Sequence, residues 1–171
     1  MVVAQNQQIK MVGYRVESFN WLNIGDRIII VAANDDYALS TTQNSSNRSG
    51  VEITKSNDGS YRTCTISNDV QEFILENGTV NSTFALRCIN GTEVGKYIYA
   101  SSNSSNQLKS YATLNDNGSF LITFESDYSA NIVAQCTNSR NTIRYYKSGD
   151  NRAFNCYASG QKLVLIYKKY Q

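Results

Sequence analysis

The sequence predicts an all-β fold in which many short strands form one domain. A chain of 171 residues, of which 41% are hydrophobic, is long enough for a single core. Helical periodicity is nearly absent, and at most one helical turn is expected, at 17–23 in "ESFNWLN". Elsewhere β-branched and aromatic runs alternate with polar residues and stop at Asn, Asp, Gly or Ser, as strands joined by turns do. Strands are expected at 27–33, 83–88, 97–101, 120–126, 131–136, 142–146 and 162–168.

A threefold repeat orders these strands. The segment "FALRCINGTEVGKYIYASSNSSNQLKSYATL" from Phe84 aligns with "IVAQCTNSRNTIRYYKSGDNRAFNCYASG" from Ile132. An earlier copy contains "NSSN" at 44–47, which meets "NSSN" at 103–106. Another apolar strand follows each copy, so each unit has four strands, and the first unit carries the insertion "SNDGSYRTCTISND". The alignment matches Cys88 with Cys136, Tyr97 with Ile143, Tyr99 with Tyr145, Asn106 with Arg152, and Tyr111 with Tyr157.

Three units of four strands are the organisation of a β-trefoil. One unit cannot bury its own apolar face, whereas three units around a pseudo-threefold axis close a six-stranded barrel with a hairpin cap and remove exposed sheet edges. Another closed β-barrel or a β-sandwich is the alternative. We expect residues 25–171 to form the β-trefoil domain and residues 1–24 to pack against the barrel as a strand and a turn, in one domain overall.

In layout the chain resembles the ricin-type β-trefoil lectins. The segment "VQEFILENGTV" (70–80) resembles that family's Gln-x-Trp element, with Phe73 in place of Trp, and the other two copies lack the element. Over residues 22–169 the chain is similar to accessory modules of secreted and cell-surface proteins of gut anaerobic bacteria and of their phages, through "LNIGDRIII" and "YALSTTQNSSNR". The resemblance implies an extracellular, lectin-like, non-catalytic module, and it supplies neither a ligand nor catalytic residues.

Composition argues against several classes of function. The absence of histidine removes Ser-His-Asp and Cys-His catalysis and His-based metal sites. A net charge of +2, with scattered basic residues, disfavours nucleic acid, and no apolar run is long enough for membrane insertion. The pair Asp35–Asp36 is expected in a turn, without the apolar surroundings that raise the pKa of a glycosidase acid. We therefore expect no enzyme, no metal and no cofactor.

The four cysteines lie at 64, 88, 136 and 156, and no two of them form a CxxC pair that would favour a zinc or redox motif. Cys88 and Cys136 are expected at equivalent strand ends as buried free thiols. A disulfide between some of the four remains the alternative.

The polar loop before the third strand of each unit is the candidate ligand site. Amide and hydroxyl groups there can bond sugar hydroxyls, and an aromatic ring can stack on a sugar face. The loop candidates are Asn44, Asn47 and Arg48, then Asn103, Asn106 and Gln107, then Asp150, Asn151 and Arg152, and the aromatic candidates are Tyr37, Tyr99, Tyr146 and Tyr157. The alternative is that these side chains only make turns, since Asn and Ser bond their own backbone.

The sequence thus predicts a non-enzymatic binding or adhesion module whose partner is a glycan or a surface polymer. The alternative is a structural decoration or fibre protein of a virion or other surface assembly, whose partners are the other subunits. The start "MVVAQNQQIKM" does not resemble a signal peptide. The expected location is extracellular or on a virion surface.

Overall fold

The computed structural model describes residues 13–58 and 61–169, and most of this backbone is extended. Residues 1–12 of the expected N-terminal segment and residues 170–171 of the expected β-trefoil domain lie outside this description. The first strands of the chain are β1 (Gly13–Arg15), β2 (Arg27–Ala32), β3 (Tyr37–Gln43), β4 (Arg48–Glu52), β5 (Thr54–Asp58), β6 (Tyr61–Thr65) and β7 (Phe73–Asn77). The second unit comprises β8 (Phe84–Cys88), β9 (Tyr97–Ala100), β10 (Leu108–Tyr111) and β11 (Ser119–Phe124). The third comprises β12 (Ala130–Ala134), β13 (Thr142–Ser148), β14 (Asn151–Tyr157) and β15 (Val164–Lys169).

The first and fourth strands of the three units form a closed antiparallel barrel. Strand β2 pairs with β7, β7 with β8, β8 with β11, β11 with β12, β12 with β15, and β15 again with β2. The second and third strands form the hairpins β3–β4, β9–β10 and β13–β14, and β4 also pairs with β14. A barrel of six strands with three hairpins is the architecture of a β-trefoil, so the predicted fold is confirmed.

The inner barrel surface repeats three positions per unit, because every second residue of a strand points to the same side. The first strands contribute Ile28, Ile30 and Ala32, then Phe84, Leu86 and Cys88, then Ala130, Ile132 and Ala134, and these residues belong to one buried cluster. The pairing of each first strand with the second strand of its unit shows which positions are equivalent in the three units. Val31 pairs with Ala38, Arg87 with Tyr97, and Val133 with Thr142.

This register corrects the alignment of the units in two places. Cys88 is equivalent to Ala134 and not to Cys136, which lies two residues beyond the end of β12 and is only partly buried. Tyr97 is equivalent to Thr142 rather than to Ile143, so the gapless alignment of the second hairpin was wrong by one residue in its first strand, β9. A shift of one residue exchanges the two faces of a strand. All four cysteines are free thiols, and Cys88 is buried as expected.

Two additions pack on the outside of the barrel. Strand β1 pairs with β15, and the expected helical turn is a single 3-10 turn at Phe19–Trp21 that begins after Ser18. The insertion of the first unit forms the hairpin β5–β6, whose region contributes Cys64 to a second buried cluster with Ile29 and Val31 of β2. Because this hairpin covers the outer face of β2, the run "IIIVA" is buried on both faces of the sheet.

Arg48 is fully buried in the hairpin cap, where the hairpin registers make it equivalent to Leu108 and Phe154. Its Nε donates to Gln43 Oε1 at 2.6 Å, and its Nη1 donates to the Ser40 carbonyl and to Gln71 Oε1. Its Nη2 donates to Ser110 Oγ at 2.6 Å and to Cys88 Sγ at 3.6 Å. None of the described carboxylates lies within salt-bridge distance of this guanidinium. Neutral acceptors therefore take all five of its N–H groups, which offsets the cost of burying the charge.

We predict that Arg48→Leu lowers the free energy of unfolding by about 3 kcal/mol, because the buried amide and hydroxyl acceptors lose their donor. Urea unfolding followed by circular dichroism measures the loss. The matched control is Arg87→Leu, which removes a half-exposed ion pair with Glu76 and is expected to cost no more than about 1 kcal/mol. Equal losses in the two variants would contradict the role given to Arg48.

Candidate functional site

The first polar loop uses its amides to hold its own backbone. Asn44 Nδ2 donates to Asn47 Oδ1 at 2.8 Å and to Ser49 Oγ at 2.9 Å. Gln43 Nε2 donates to the carbonyls of Asn44 and Asn47 at 2.9 and 3.0 Å. Arg48 is buried beneath the loop, so the expectation that it binds a ligand at the surface was wrong. This loop has the hydrogen bonding of a turn.

The second and third loops are partly engaged in the same way. Asn103 Oδ1 accepts from the Ser139 N–H at 2.7 Å and thereby ties the second unit to the third. Gln107 Oε1 accepts from Ser101 Oγ, and Arg152 Nη1 donates to the Gly149 carbonyl. Three candidates, Asn106, Asp150 and Asn151, are exposed, and their role as ligand contacts stays a prediction.

The four candidate tyrosines differ in exposure. Tyr99 and Tyr157 are buried, and their expected role as platforms stays a prediction. Tyr37 is half-buried, with the Arg152 guanidinium 4.9 Å from its ring centroid. Tyr146 is half-buried, and its role stays a prediction.

A concave site that sequence reasoning missed lies in the second unit, where β10 ends and the chain turns toward β11. We call it the Tyr111 pocket, a shallow space of about 360 Å³. It is lined by Tyr99, Ser101, Tyr111, Ala112, Thr113, Asn115 and Asn117. Every lining side chain is uncharged, and most of them carry a hydroxyl or an amide.

The floor of the Tyr111 pocket is a pair of tyrosine rings. The centroids of Tyr99 and Tyr111 are 4.8 Å apart, and the Tyr99 hydroxyl donates to the Thr113 carbonyl. Gly118 lies against the Tyr99 ring so closely that a Cβ there would be 2.4 Å from a ring carbon, which explains the glycine. Tyr111 keeps 42% of its surface exposed. The buried ring thus holds an exposed ring in place.

Asn115 shapes the rim of the Tyr111 pocket. Its side-chain oxygen accepts from the Asn117 N–H at 2.9 Å and begins the 3-10 turn Asp116–Gly118. The sequence did contain a signal for this site, an aromatic residue at a strand end followed by "ATLNDNG". The repeat alignment used Tyr111 only as a marker of register, and its match with Tyr157 is confirmed by the hairpin pairing.

A second concave site joins the turn after β2 to the third unit. We call it the Asp35 pocket, with a volume of about 230 Å³. It is lined by Asn34, Asp35, Tyr145, Lys147, Gln161, Lys162 and Leu163. Asp35 lies in the β2–β3 turn, as expected from the sequence. Unlike the Tyr111 pocket, this site is rich in charge.

The Asp35 carboxylate is held by groups of the third unit. Its Oδ2 accepts from the Tyr145 hydroxyl at 2.6 Å and lies 3.4 Å from Arg152 Nε and 3.8 Å from Lys147 Nζ. The hydrogen bond from Tyr145, together with the nearby cations, lowers the pKa of Asp35. Burial and the same hydrogen bond raise the pKa of Tyr145. Asp35 is therefore ionised and Tyr145 protonated at neutral pH.

Neither a metal centre nor a membrane span is found in the described residues. In 13–58 and 61–169, no three Cys, Asp or Glu side chains come together as metal ligands. No helix in these ranges has the length and apolarity to cross a membrane.

The comparisons with known proteins identify the fold. The chain is similar to the BEL β-trefoil (TM-score 0.61, 14% identity, covering 91% of this chain and 100% of that one) and to the designed threefold-symmetric protein ThreeFoil (TM-score 0.55, 15% identity, 82% and 97%). It is also similar to part of a GH43 β-1,3-galactosidase (TM-score 0.60, 10% identity), covering 94% of this chain but only 30% of that one. No protein-family model and no curated protein matches the chain. At such low identities the likeness shows the β-trefoil fold alone.

We predict that Tyr145→Phe raises the pKa of Asp35 toward its ordinary value, because the carboxylate loses its hydroxyl donor. An NMR titration of the side-chain carboxyl measures this. Tyr145→Phe should also lower the free energy of unfolding by about 1.5–3 kcal/mol, the contribution of a hydrogen bond to a charged group. This loss should be complete at pH values above the ordinary Asp pKa, and it should diminish as the pH falls through the lowered pKa of Asp35.

The matched control for this prediction is Tyr146→Phe, which changes the neighbouring tyrosine on the opposite face of the strand. It should leave both the pKa of Asp35 and the stability unchanged. A pKa of Asp35 that does not move in Tyr145→Phe would contradict the assignment.

Proposed function

We propose that the chain is a non-enzymatic binding module that holds a neutral saccharide in the Tyr111 pocket. The observation that carries this proposal is the exposed Tyr111 ring, fixed against buried Tyr99 and surrounded by uncharged hydrogen-bonding groups. An amphipathic ring of this kind combines apolar contact area with little conformational freedom to lose.

The chemistry of the pocket suits a ligand rich in hydroxyl groups. The apolar face of a sugar ring can stack on Tyr111. The hydroxyls of Ser101 and Thr113 and the amides of Asn115 and Asn117 each offer both donors and acceptors. A sugar hydroxyl also donates and accepts, so the two sets of groups complement each other. The absence of charge among the seven lining residues favours a neutral ligand.

The pocket is open, so binding is expected to be weak for a single site. Dissociation constants in the millimolar-to-micromolar range correspond to about −4 to −8 kcal/mol. Such affinities become useful when several modules engage one polymer, because linked sites gain effective concentration. A glycan or a surface polymer is therefore the proposed partner.

The pKa of Asp35 supports a binding role rather than catalysis. A glycosidase acid needs a raised pKa, and the carboxylate that lines the Asp35 pocket has a lowered one. The likeness to a β-1,3-galactosidase covers only 30% of that chain. It is consistent with a saccharide as the ligand class.

We predict that Tyr111→Ala weakens saccharide binding at least about tenfold, since losing an anchoring aromatic ring costs more than about 1.4 kcal/mol. An array of neutral oligosaccharides identifies the probe, and calorimetric titration with that probe measures the affinity. Tyr111→Phe keeps the ring and should bind within a few-fold of the unchanged protein.

The control is Trp21→Ala, which removes an exposed aromatic ring of the N-terminal turn. In the sequence, Trp21 is far from the residues that line the Tyr111 pocket. It should bind as the unchanged protein does. No binding to any neutral glycan, together with a defined oligomer in light scattering, would overturn the proposal and favour a structural subunit of an assembly.

A further inference from the structure

Two cations approach the carboxylate of Asp35, and a third cation lines the same pocket. Lys147 and Arg152 face each other across the β13–β14 hairpin, and both approach Asp35 Oδ2. Lys162 also lines the pocket, and no carboxylate in the described residues pairs with it. The formal charges of these three cations and of the Asp35 carboxylate add up to a net positive charge.

Backbone pairing directs the two lysines to the same pocket. Tyr145 and Lys162 exchange both backbone hydrogen bonds, at 3.0 and 3.1 Å, so their side chains share one face. Lys147 follows Tyr145 by two residues and therefore points to that face too. Both lysines line the pocket, Lys147 from β13 and Lys162 from the segment just before β15.

The pocket is also preformed. Tyr145 is 1% exposed, and its hydroxyl fixes the orientation of the Asp35 carboxylate. Asp35 Oδ1 accepts only the Asp36 N–H, at 3.0 Å, among the described groups, which leaves it acceptor capacity. Asn34 and Gln161 add two amides to the lining. Hydroxyl-binding groups therefore stand next to a pair of ammonium groups.

We propose that the Asp35 pocket binds an acidic sugar residue. Its carboxylate or sulfate lies between Lys147 and Lys162, and its hydroxyls bond Asp35, Asn34 and Gln161. The space of about 230 Å³ is smaller than the roughly 300–1,000 Å³ of a pocket for a drug-sized ligand, so it admits a single sugar residue. This site differs from the Tyr111 pocket in both position and ligand charge, and it does not rest on the function proposed for that pocket.

The test compares three probes by calorimetric titration: a galacturonate trisaccharide, a sulfated galactose oligosaccharide, and a neutral galactose oligosaccharide. The unchanged protein should bind at least one acidic probe more tightly than the neutral one, and added salt should weaken that binding. The better acidic probe shows whether the anion is a carboxylate or a sulfate. Failure to bind either acidic probe overturns the proposal.

The double variant Lys147→Gln with Lys162→Gln should weaken binding of the acidic probe at least about tenfold, since two charge-assisted hydrogen bonds are lost. The matched control removes the same charge elsewhere, by Lys96→Gln with Lys109→Gln, and should change the affinity less than about twofold. An equal loss in the control assigns the binding to general surface charge and overturns the proposal. Tyr111→Ala should leave acidic binding intact, so this proposal and the neutral-saccharide proposal can fail separately.

Discussion

The hydrogen bonding of Arg48 is the interaction on which the cap of this β-trefoil depends. Its guanidinium joins Gln43 and Gln71 of the first unit to Cys88 and Ser110 of the second. Its backbone position pairs with Phe154 of the third unit. The two equivalent positions hold apolar side chains, so the first unit inserts a charge where the others pack carbon. Because every donor must find an acceptor, this one residue orders side chains from two units.

One structural position shows how the symmetric scaffold produces different sites. The fourth strands pair so that Phe73, Phe120 and Val164 are equivalent, and the residues two places earlier are therefore equivalent too. Those residues are Gln71, Gly118 and Lys162. Gln71 accepts from Arg48, Gly118 lets Tyr99 approach the backbone, and Lys162 lines the Asp35 pocket. The repeat thus supplies one location per unit, and the side chain decides what that location does.

The sequence predicts the threefold fold because strand alternation and turn residues are local signals, and three copies reinforce each other. It predicts register less well, as the equivalence of Cys88 with Ala134 shows, since hairpin loops of different length shift one unit against another. Burial of Arg48 is not predictable from a polar loop, because its acceptors lie up to 62 residues away. Tyr111 and Tyr157 are equivalent, yet only Tyr111 is exposed, and that contrast depends on tertiary packing.

The absence of proline explains why the polar loops are poor candidates for a ligand site. A chain with no proline cannot fix its turns by a ring-locked φ, so the backbone freedom of Gly and the side-chain hydrogen bonds of Asn and Ser must form them. Asn44 and Asn103 accordingly bond groups of the protein, and this leaves them fewer groups for a sugar. Side chains that are free to bind a ligand must then come from strand ends and unit junctions. The Tyr111 and Asp35 pockets lie at such places, which makes them better candidates than the loops that the repeat first brings to notice.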